Sequence, residues 1–432
     1  MKLLIWLVTF AALLSSAFAQ ESAQRMVLII SLDGFPAFAL DDPKLPIPTL
    51  RHLMQNGVRA RMTTVNPTIT WPNHTSMVTG ARSDQHGLLA NGTIARTSNW
   101  PPVKVDEMFD KEKMVHVSTV YDAAYKAGLT TAQVNWVAIN RAPTITWAFS
   151  EWASPAGIVE GEMIRKGVIA VSDVENFTKS NILFRDQIWT TAAVHLIREH
   201  KPNLLLFHLL SLDSVHHEYG PGSLAALAAF AFLDGCVARL EDAVNAAGMG
   251  ERSTFVIVSD HGFKKYTKQI RPTVALASAG IAGTTYILPE GGSAYVYFDQ
   301  SKAAELSPKV VRALEGVEGI DKIIGPEGFA GLGLPLPDRD PQMGQLVITA
   351  KDGYAFSGAT GGPVTAAIPQ QAGSHGYLAS DQDMDAIFVA SGYGVRAGAK
   401  LERIANVDVA PTVARLLGVS LPAANGKPIP LQ

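Results

Sequence analysis

Six side chains that can bind hard or borderline cations follow apolar runs or lie in turns of this sequence: Asp33, Asp213, His217, Asp260, His261 and His375. Carboxylates and imidazoles are the ligands that Zn²⁺ and similar divalent ions take in proteins. The six come from four distant segments. Because ligands of an open α/β sheet gather beyond the carboxyl ends of its strands, we expect them to meet at one sheet edge. Two metal ions held there would suit the hydrolysis of phosphate esters.

The spacing of these residues sets what each can do. Asp213 and His217 stand four residues apart, so on a helix they share one face and can chelate one cation. Asp260 and His261 are adjacent and would need a turn to reach the same ion. His375 lies between small residues, where the backbone can approach a crowded site. Taken singly, an aspartate that ends a strand can be a helix cap and a histidine in a turn can be a surface group; their convergence favours the metal site.

Thr70 is the candidate nucleophile. It precedes Pro72, which suits the first turn of a helix, and Gly80 provides a stop for that helix. Thr70 would then lie at the helix N-terminus, where backbone N–H groups and the positive end of the dipole favour an anionic phosphoryl group. A nearby divalent ion could hold its hydroxyl as an alkoxide. Taken alone, Thr70 could equally be an ordinary N-cap.

The elements that must position these residues are short, buried strands alternating with helices. Apolar runs rich in Val, Ile and Leu predict buried parallel strands at Met26–Leu32, Thr131–Asn135, Leu204–Leu210, Thr254–Val258 and Ala386–Ala390. Helical patterns lie between them: Ile47–Met54, Thr119–Gly128 and Leu224–Ala247. This alternation predicts an α/β fold with a doubly wound, mostly parallel central sheet and helices on both of its faces.

The chain divides into unequal parts. Residues 1–19 read as a signal peptide, with Lys2, an apolar run and an Ala-Phe-Ala cleavage site, which leaves 20–432 as one catalytic domain. Within it, a stretch from about 264 to 371 is rich in Gly and Pro and contains the alternating segment Ser293–Phe298. We expect an inserted cap or specificity subdomain there.

Composition excludes several classes of protein. The net charge is −3 and basic blocks are absent, so no surface for nucleic acid is evident. The single cysteine, Cys236, excludes an intramolecular disulfide and is expected to be buried and inert. No stretch after the signal peptide is expected to span a membrane, which predicts a periplasmic or secreted protein. The sequence does not give the oligomeric state.

Several short motifs follow one another along the chain: Leu32-Asp33-Gly34-Phe35, Thr70-Trp71-Pro72-Asn73-His74, Asp84-Gln85-His86-Gly87 with Asn91, Asp213 with His217, Ser259-Asp260-His261-Gly262, Ser374-His375-Gly376-Tyr377 and the closing segment 406–418. In type and order they resemble the nucleotide pyrophosphatase/phosphodiesterase branch of the alkaline phosphatase superfamily. The resemblance covers nearly the whole mature chain. It implies an alkaline phosphatase-like fold and two Zn²⁺ per chain, which other divalent ions could replace.

The resemblance also implies a role for each site residue. One zinc would be bound by Asp213, His217 and His375, and the other by Asp33, Asp260, His261 and the Thr70 oxygen. Asn91 would hold a phosphoryl oxygen. Thr70 would attack phosphorus in line, and hydrolysis of the resulting phosphothreonine would leave the configuration at phosphorus retained overall.

Departures from the family pattern leave the substrate open. Diester-cleaving relatives often carry lysine where this chain has Ile69, and related monoesterases place lysine where it has Ile139. Arg141 could still make one charge-assisted contact with substrate, although an ordinary surface arginine is the simpler interpretation. Trp136, Trp147 and Trp152 could stack on a base, although buried packing is more common. His74 and His86 are expected to orient loops, and His195, His200, His208 and His216 are not assigned to metal.

Three functions therefore compete. The leading one is a zinc-dependent phosphodiesterase or pyrophosphatase that acts on a small phosphoryl ester such as a nucleotide or phosphodiester. The second is a phosphomonoesterase or phosphonate hydrolase on the same scaffold. The third is a catalytically silent binding protein, and the intact ligand set and Thr70 argue against it.

Overall fold

The computed structural model describes residues 25–432. The predicted signal peptide and its cleavage site lie outside the described residues. Within this range, no helix has both the length and the apolar character that crossing a lipid bilayer requires.

The described chain alternates strands and helices along most of its length. The strands are β1 Met26–Leu32, β2 Gly57–Thr63, β3 Thr93–Arg96, β4 Val103–Asp106, β5 Thr131–Val134, β6 Trp147–Phe149, β7 Leu204–Leu209, β8 Ser253–Val258, β9 Lys264–Ile270, β10 Thr285–Glu290, β11 Ser293–Phe298, β12 Ile320–Ile324, β13 Leu346–Ala350, β14 Gly353–Phe356, β15 Thr365–Ser374, β16 Ala386–Gly392 and β17 Ala399–Ala405. The α-helices are α1 Pro48–Gln55, α2 Thr70–Thr79, α3 Ser83–His86, α4 Lys111–Met114, α5 Val120–Lys126, α6 Ile158–Arg165, α7 Val171–Glu175, α8 Ile182–Glu199, α9 Ser211–Tyr219, α10 Leu224–Ala246, α11 Pro272–Ser278, α12 Ala303–Leu314, α13 Pro326–Leu332 and α14 Val409–Leu417. Short 3-10 turns cover Ala37–Asp41, Phe177–Lys179, Gly250–Arg252, Gln300–Lys302, Gln382–Met384 and Asn406–Asp408.

The central sheet has eight strands in the order β17-β2-β16-β8-β1-β7-β5-β6. Its pairs are parallel except at β16, which runs antiparallel to both β8 and β2. The expectation that Ala386–Ala390 is a parallel strand is therefore wrong. A strand that is buried on both faces is apolar throughout whichever way it runs, so hydrophobic pattern alone does not give its direction.

Helices cover both faces of this sheet, as the doubly wound prediction requires. Alternate residues of β1 point to opposite sides. Leu28 and Ile30 pack in one core with residues of α8 and α10. Val27 and Ile29 pack in a second core with residues of α5 and α14. Two buried layers thus fix the strands whose ends carry the site.

Residues 264–371 contain most of two of the three smaller sheets, and the third pairs β3 with β4. One has the order β10-β11-β13-β12 and the other β14-β9-β15. Side chains of β11 alternate between its two faces, but neither face is exposed to solvent, because every residue of that strand is buried. Val296 packs in a core formed within this region, while Tyr297 on the other face packs with Leu89 and Ile94 of the main body.

Candidate active site

The six candidate ligands come from two neighbouring strands of the central sheet, from helix α9 and from the end of β15. Asp33 follows β1 directly, and Asp260 and His261 follow β8, the strand paired with β1. Asp213 lies in the first turn of α9, two residues after Ser211 begins that helix. His375 follows β15. The carboxyl ends of β1, β7 and β8 meet at one edge, because all three strands are parallel and in register.

Asp213, His217 and His375 form the first ligand group. One ligand atom from each lies within 4.8 Å of the others. The Nε2 atom of His217 is 3.5 Å from Asp213 Oδ1, and the Nε2 atom of His375 is 3.7 Å from the same oxygen. His217 remains 43% exposed, so this group faces the opening of the site. These are the three residues that the family resemblance assigns to one zinc.

The second group lies deeper. Asp33, Asp213 and His261 again place one ligand atom each within 4.8 Å. The Nε2 atom of His261 lies 3.4 Å from Asp33 Oδ1 and 3.2 Å from Asp260 Oδ2. Asp260 thus lies with this group, as expected. Asp213 belongs to both groups, so the two sets of ligand atoms adjoin.

The three histidines present the same nitrogen to the centre. Their Nδ1 atoms face backbone carbonyl oxygens: Gly373 O for His217, Gly262 O for His261 and Thr68 O for His375, at 3.2, 3.0 and 3.1 Å. A nitrogen that faces a carbonyl must donate a proton, which leaves Nε2 as the lone-pair nitrogen of a neutral ring. Each Nε2 is therefore available as a metal ligand.

Each buried carboxylate keeps one oxygen without a hydrogen bond. Asp33 Oδ2 lies 2.8 Å from His208 Nε2, and Asp260 Oδ1 accepts from Gly34 N at 3.2 Å. Asp33 Oδ1, Asp260 Oδ2, Asp213 Oδ1 and His261 Nε2 have no hydrogen-bond partner among residues 25–432. Buried polar atoms are almost always satisfied, so four unpartnered ones facing each other need an external partner. Their oxygen and nitrogen chemistry fits a pair of divalent cations.

The pKa values of the site residues reflect their burial and the closeness of three carboxyl groups. Burial, reinforced by the charges of Asp260 and Asp213, raises the pKa of Asp33 well above its usual range. Burial likewise raises the pKa of Asp213 to about 6. Burial lowers the pKa of both His261 and His375 well below the usual value, which keeps their rings neutral. Ionised carboxylates and neutral imidazoles are the forms that metals bind, and bound cations would offset the repulsion.

Thr70 is the first residue of α2, as predicted, and Gly80 ends that helix in a left-handed conformation. The Thr70 carbonyl oxygen accepts from His74 Nδ1 at 2.9 Å, and the same nitrogen is 3.6 Å from Asp260 Oδ2. Thr70 is thereby tied to the deeper ligand group. The expected cradle of free backbone N–H groups is reduced, because Trp71 donates its N–H to Asn91 Oδ1 at 2.9 Å and Pro72 has none. The helix N-terminus therefore acts chiefly through its dipole.

A cavity of about 120 Å³ opens beside helix α2, which begins at Thr70. Its lining includes the rings of Trp71, Trp136 and Trp152, together with Arg141. The Arg141 guanidinium forms an ion pair with Asp110 and donates to Met108 O at 3.0 Å, and its side chain is 61% exposed. Trp147 lies away from this cavity, stacked on His200.

The residues that orient the candidate metal ligands were not predicted from the sequence. His208 binds Asp33, and its Nδ1 faces Asn135 O at 3.1 Å. Asp186 accepts the backbone N–H groups of Leu210 and Ser211 at 3.1 and 2.8 Å and so caps the helix that carries Asp213. His208 lies one residue before the end of β7, so its position at the active edge was a usable signal. For Asp186, which lies in the second turn of α8, the sequence holds no such signal.

The chain is similar to a known protein family and to several of its members. The model of the family "Type I phosphodiesterase / nucleotide pyrophosphatase" matches residues 27–378. Human ectonucleotide pyrophosphatase/phosphodiesterase family member 5 is 23% identical, over 98% of this chain and 81% of its own. Rat family member 7 is 25% identical, over 99% of this chain and 91% of its own. A Xenopus laevis bis(5'-adenosyl)-triphosphatase is 23% identical, over 94% and 80%.

Solved structures agree in fold. Murine ectonucleotide pyrophosphatase/phosphodiesterase 5 superposes with a TM-score of 0.71 at 19% identity, over 93% of this chain and 98% of that one. An inactive variant of the same murine protein, in complex with AMP, gives the same TM-score and identity. The mostly parallel, doubly wound fold expected from the sequence is confirmed.

Proposed function

The chain belongs to the type I phosphodiesterase / nucleotide pyrophosphatase family, and from this we propose that it is an exported, two-zinc phosphodiesterase that forms a phosphothreonine at Thr70. The observation that carries the proposal is the set of four buried, unpartnered atoms on Asp33, Asp213, Asp260 and His261. They face each other beside the helix that begins at Thr70. A protein without ions there would leave four buried polar groups unsatisfied.

Two sets of residues would hold the ions. Asp213, His217 and His375 form one set, and Asp33, Asp260, His261 and the Thr70 oxygen form the other. When bound, the zinc ions would lower the pKa of the attacking hydroxyl and offset negative charge on the phosphoryl group and the leaving oxygen. Within the deeper set, His208 fixes the orientation of Asp33 and backbone carbonyls fix the imidazole rings.

Thr70 and Asn91 would act on the phosphoryl group itself. Thr70 Oγ1 attacks phosphorus after losing its proton, and one ester oxygen leaves and is protonated to the alcohol. Water then releases the remaining phosphate monoester from Thr70 and restores its hydroxyl. Asn91 uses its Oδ1 to accept from Trp71 N, so its amide donors remain for a non-bridging phosphoryl oxygen. The same hydrogen bond holds Asn91 at the start of the nucleophile's helix, so donor and nucleophile keep a fixed spacing.

The cavity beside Thr70 supports a nucleotide or aromatic phosphodiester as substrate. Trp152 is half-buried and offers a flat apolar surface on which a base could stack, and the buried Trp71 and Trp136 form part of the same lining. Relatives of this chain include a bis(5'-adenosyl)-triphosphatase, and a structural neighbour is recorded with AMP. Arg141, on the cavity wall, could contact a distal phosphate after exchanging its partner Asp110.

A diester is preferred over a monoester in this proposal, because a dianionic monoester needs more positive charge. The two positions where relatives carry lysine are here the buried Ile69 and Ile139. Arg141 is already paired with a carboxylate. We expect the ratio of kcat/KM for an aryl phosphodiester to that for its monoester to exceed one, with both activities abolished by chelation and restored by Zn²⁺. A monoester preference would replace this assignment with the phosphomonoesterase, and turnover that survives complete metal removal would exclude both.

We also propose that about 264–371 is a cap subdomain and that the protein acts outside the cytoplasm. The cap proposal is supported by a hydrophobic core that includes Ile270, Val296, Val310 and Phe356. Export is supported by the leader-like residues 1–19. N-terminal sequencing of protein recovered from the cell envelope or medium tests the second point, since Gln20 should be the first residue.

A further inference from the structure

A second cluster of metal-ligand side chains lies away from the candidate active site. It consists of Glu162 on α6, His195 near the end of α8 and His200 just after that helix. One ligand atom from each lies within 4.8 Å of the others. Asp186, which caps the ligand-bearing helix α9, is nine residues before His195, or about 14 Å along the helix axis. The two clusters share no residue. The candidate active site adjoins the N-terminal part of α8 through Asp186, and the second cluster lies at the C-terminal end of that helix.

The three side chains converge through defined atoms. His200 Nε2 is 2.8 Å from Glu162 Oε2, and His195 Nε2 is 3.2 Å from Glu162 Oε1. The His200 ring is held in place by Trp147, which stacks on it with centroids 4.6 Å apart. Both imidazoles thus present Nε2 to the same carboxylate.

His195 supplies the observation that points to a ligand. Its side chain is only 4% exposed, and its Nε2 atom has no hydrogen-bond partner within the described part of the chain. The carboxylate is close, yet the geometry does not make a hydrogen bond. This buried nitrogen lies beside a carboxylate and a second imidazole. The three groups together are electron-pair donors for which a cation would be the acceptor.

We propose that Glu162, His195 and His200 form a third divalent-cation site, which binds a first-row transition metal ion such as Zn²⁺. Two imidazole nitrogens and one carboxylate suit Zn²⁺ and leave a position for water. Hard cations such as Mg²⁺ are disfavoured, because they prefer oxygen ligands.

Lys166 contacts the same carboxylate that the ion would bind. Its ammonium is 3.0 Å from Glu162 Oε1 and 2.6 Å from Glu199 Oε2. A bound cation displaces the first contact, while the second keeps the ammonium paired. The ion would link α6 to the end of α8, so its role is to fasten this part of the surface rather than to take part in phosphoryl transfer.

The test counts zinc in the holoenzyme. Protein is equilibrated by dialysis against buffered micromolar Zn²⁺, and metal per chain is measured by elemental analysis. We expect one more equivalent in the wild type than in H200A and E162Q, with zinc affinity at this site weakened by more than about tenfold in both variants. H52A, which removes an exposed histidine from α1, is the matched control and should keep the full count. Phosphodiesterase kcat/KM should be unchanged in all three variants.

Anomalous diffraction at the zinc edge locates the ion independently of variant folding. A peak bonded to Glu162 and both imidazoles supports the site. Equal zinc counts in the wild type and H200A, or no peak there in a zinc-soaked crystal, overturn it. The comparison is a difference of one ion, so it remains decisive even if the proposed catalytic ions are absent.

Discussion

Side chains of the candidate site use one polar atom to contact the rest of the protein and present another to the centre of the site. Asp33 and Asp260 each bind the protein through one oxygen and leave the other unpartnered within residues 25–432. The histidines do the same, with Nδ1 on a carbonyl and Nε2 on the centre. This division keeps every ligand atom oriented before an ion binds, which reduces the reorganisation that binding requires.

Replacing the nucleophile should stop the reaction without unfolding the protein. T70V keeps the shape of the side chain but removes its oxygen, so we expect kcat to fall by about a thousandfold or more. The control is T79V in the same helix, whose hydroxyl donates to Thr75 O and accepts from Ala81 N. Steady-state kinetics with an aryl phosphodiester, together with thermal unfolding, distinguishes the two. Turnover of T70V within a few fold of wild type would rule out Thr70 as nucleophile.

His208 should act through Asp33 rather than on substrate. H208A removes the 2.8 Å contact with Asp33 Oδ2, so we expect zinc affinity to fall by about 10- to 100-fold. H208Q can place an amide donor in the same region and should recover part of the loss. Zinc retention in a chelator competition is the readout, and excess zinc should restore kcat in H208A. An unchanged affinity in H208A would show that the contact does not tune the metal.

Much of this residue-level chemistry could be predicted from the sequence, because ligand types and their order along the chain are visible there. The six candidate ligands and Thr70 were predicted in this way, and the structure brings the six side chains together. His208 and Asp186 were not assigned these roles, since their partners are 175 and 24 residues away, and only His208, near the end of β7, carries a local signal. The sequence also did not show that Asn91 would occupy the Trp71 N–H.

The strands and helices deliver these groups through a simple geometric rule. The parallel strands β1, β7 and β8 end at one edge, so three distant segments meet there. Helix α9 begins directly after β7, and its first two free N–H groups are accepted by Asp186. The sequence predicted the strands from buried apolar runs, but it could not give the reversed direction of β16, which depends on the connection and not on composition.

Glu290, at the end of β10, should make stability depend on pH. Burial raises the pKa of its carboxyl from 4.5 to about 8. A raised pKa in the folded state means that its stabilising contribution is complete below about pH 4.5 and is lost as the pH rises through 8. E290Q mimics the neutral form, so its Tm should match that of wild type near pH 5 and exceed it by several degrees at pH 8 to 9. A pH-independent Tm difference would contradict the assignment.

The whole molecule combines a family scaffold with a region that has its own core. The sequence predicted the family, the fold class and an enzyme of the phosphodiesterase and pyrophosphatase type, and the comparisons confirm them. The docking of residues 264–371 could not be predicted. β11 is buried on both sides because Tyr295 and Tyr297 pack against Leu89, Ile94 and Val103 of the main body, and such long-range contacts leave no periodic mark in the sequence.

The stereochemical course at phosphorus tests the central claim most directly. A single diastereomer of an aryl phosphorothioate diester is hydrolysed in heavy-oxygen water, and the configuration of the product is read by phosphorus NMR. Two successive in-line displacements, first by Thr70 and then by water, predict overall retention. Inversion would mean that water attacks the substrate directly, and it would contradict a covalent intermediate on Thr70.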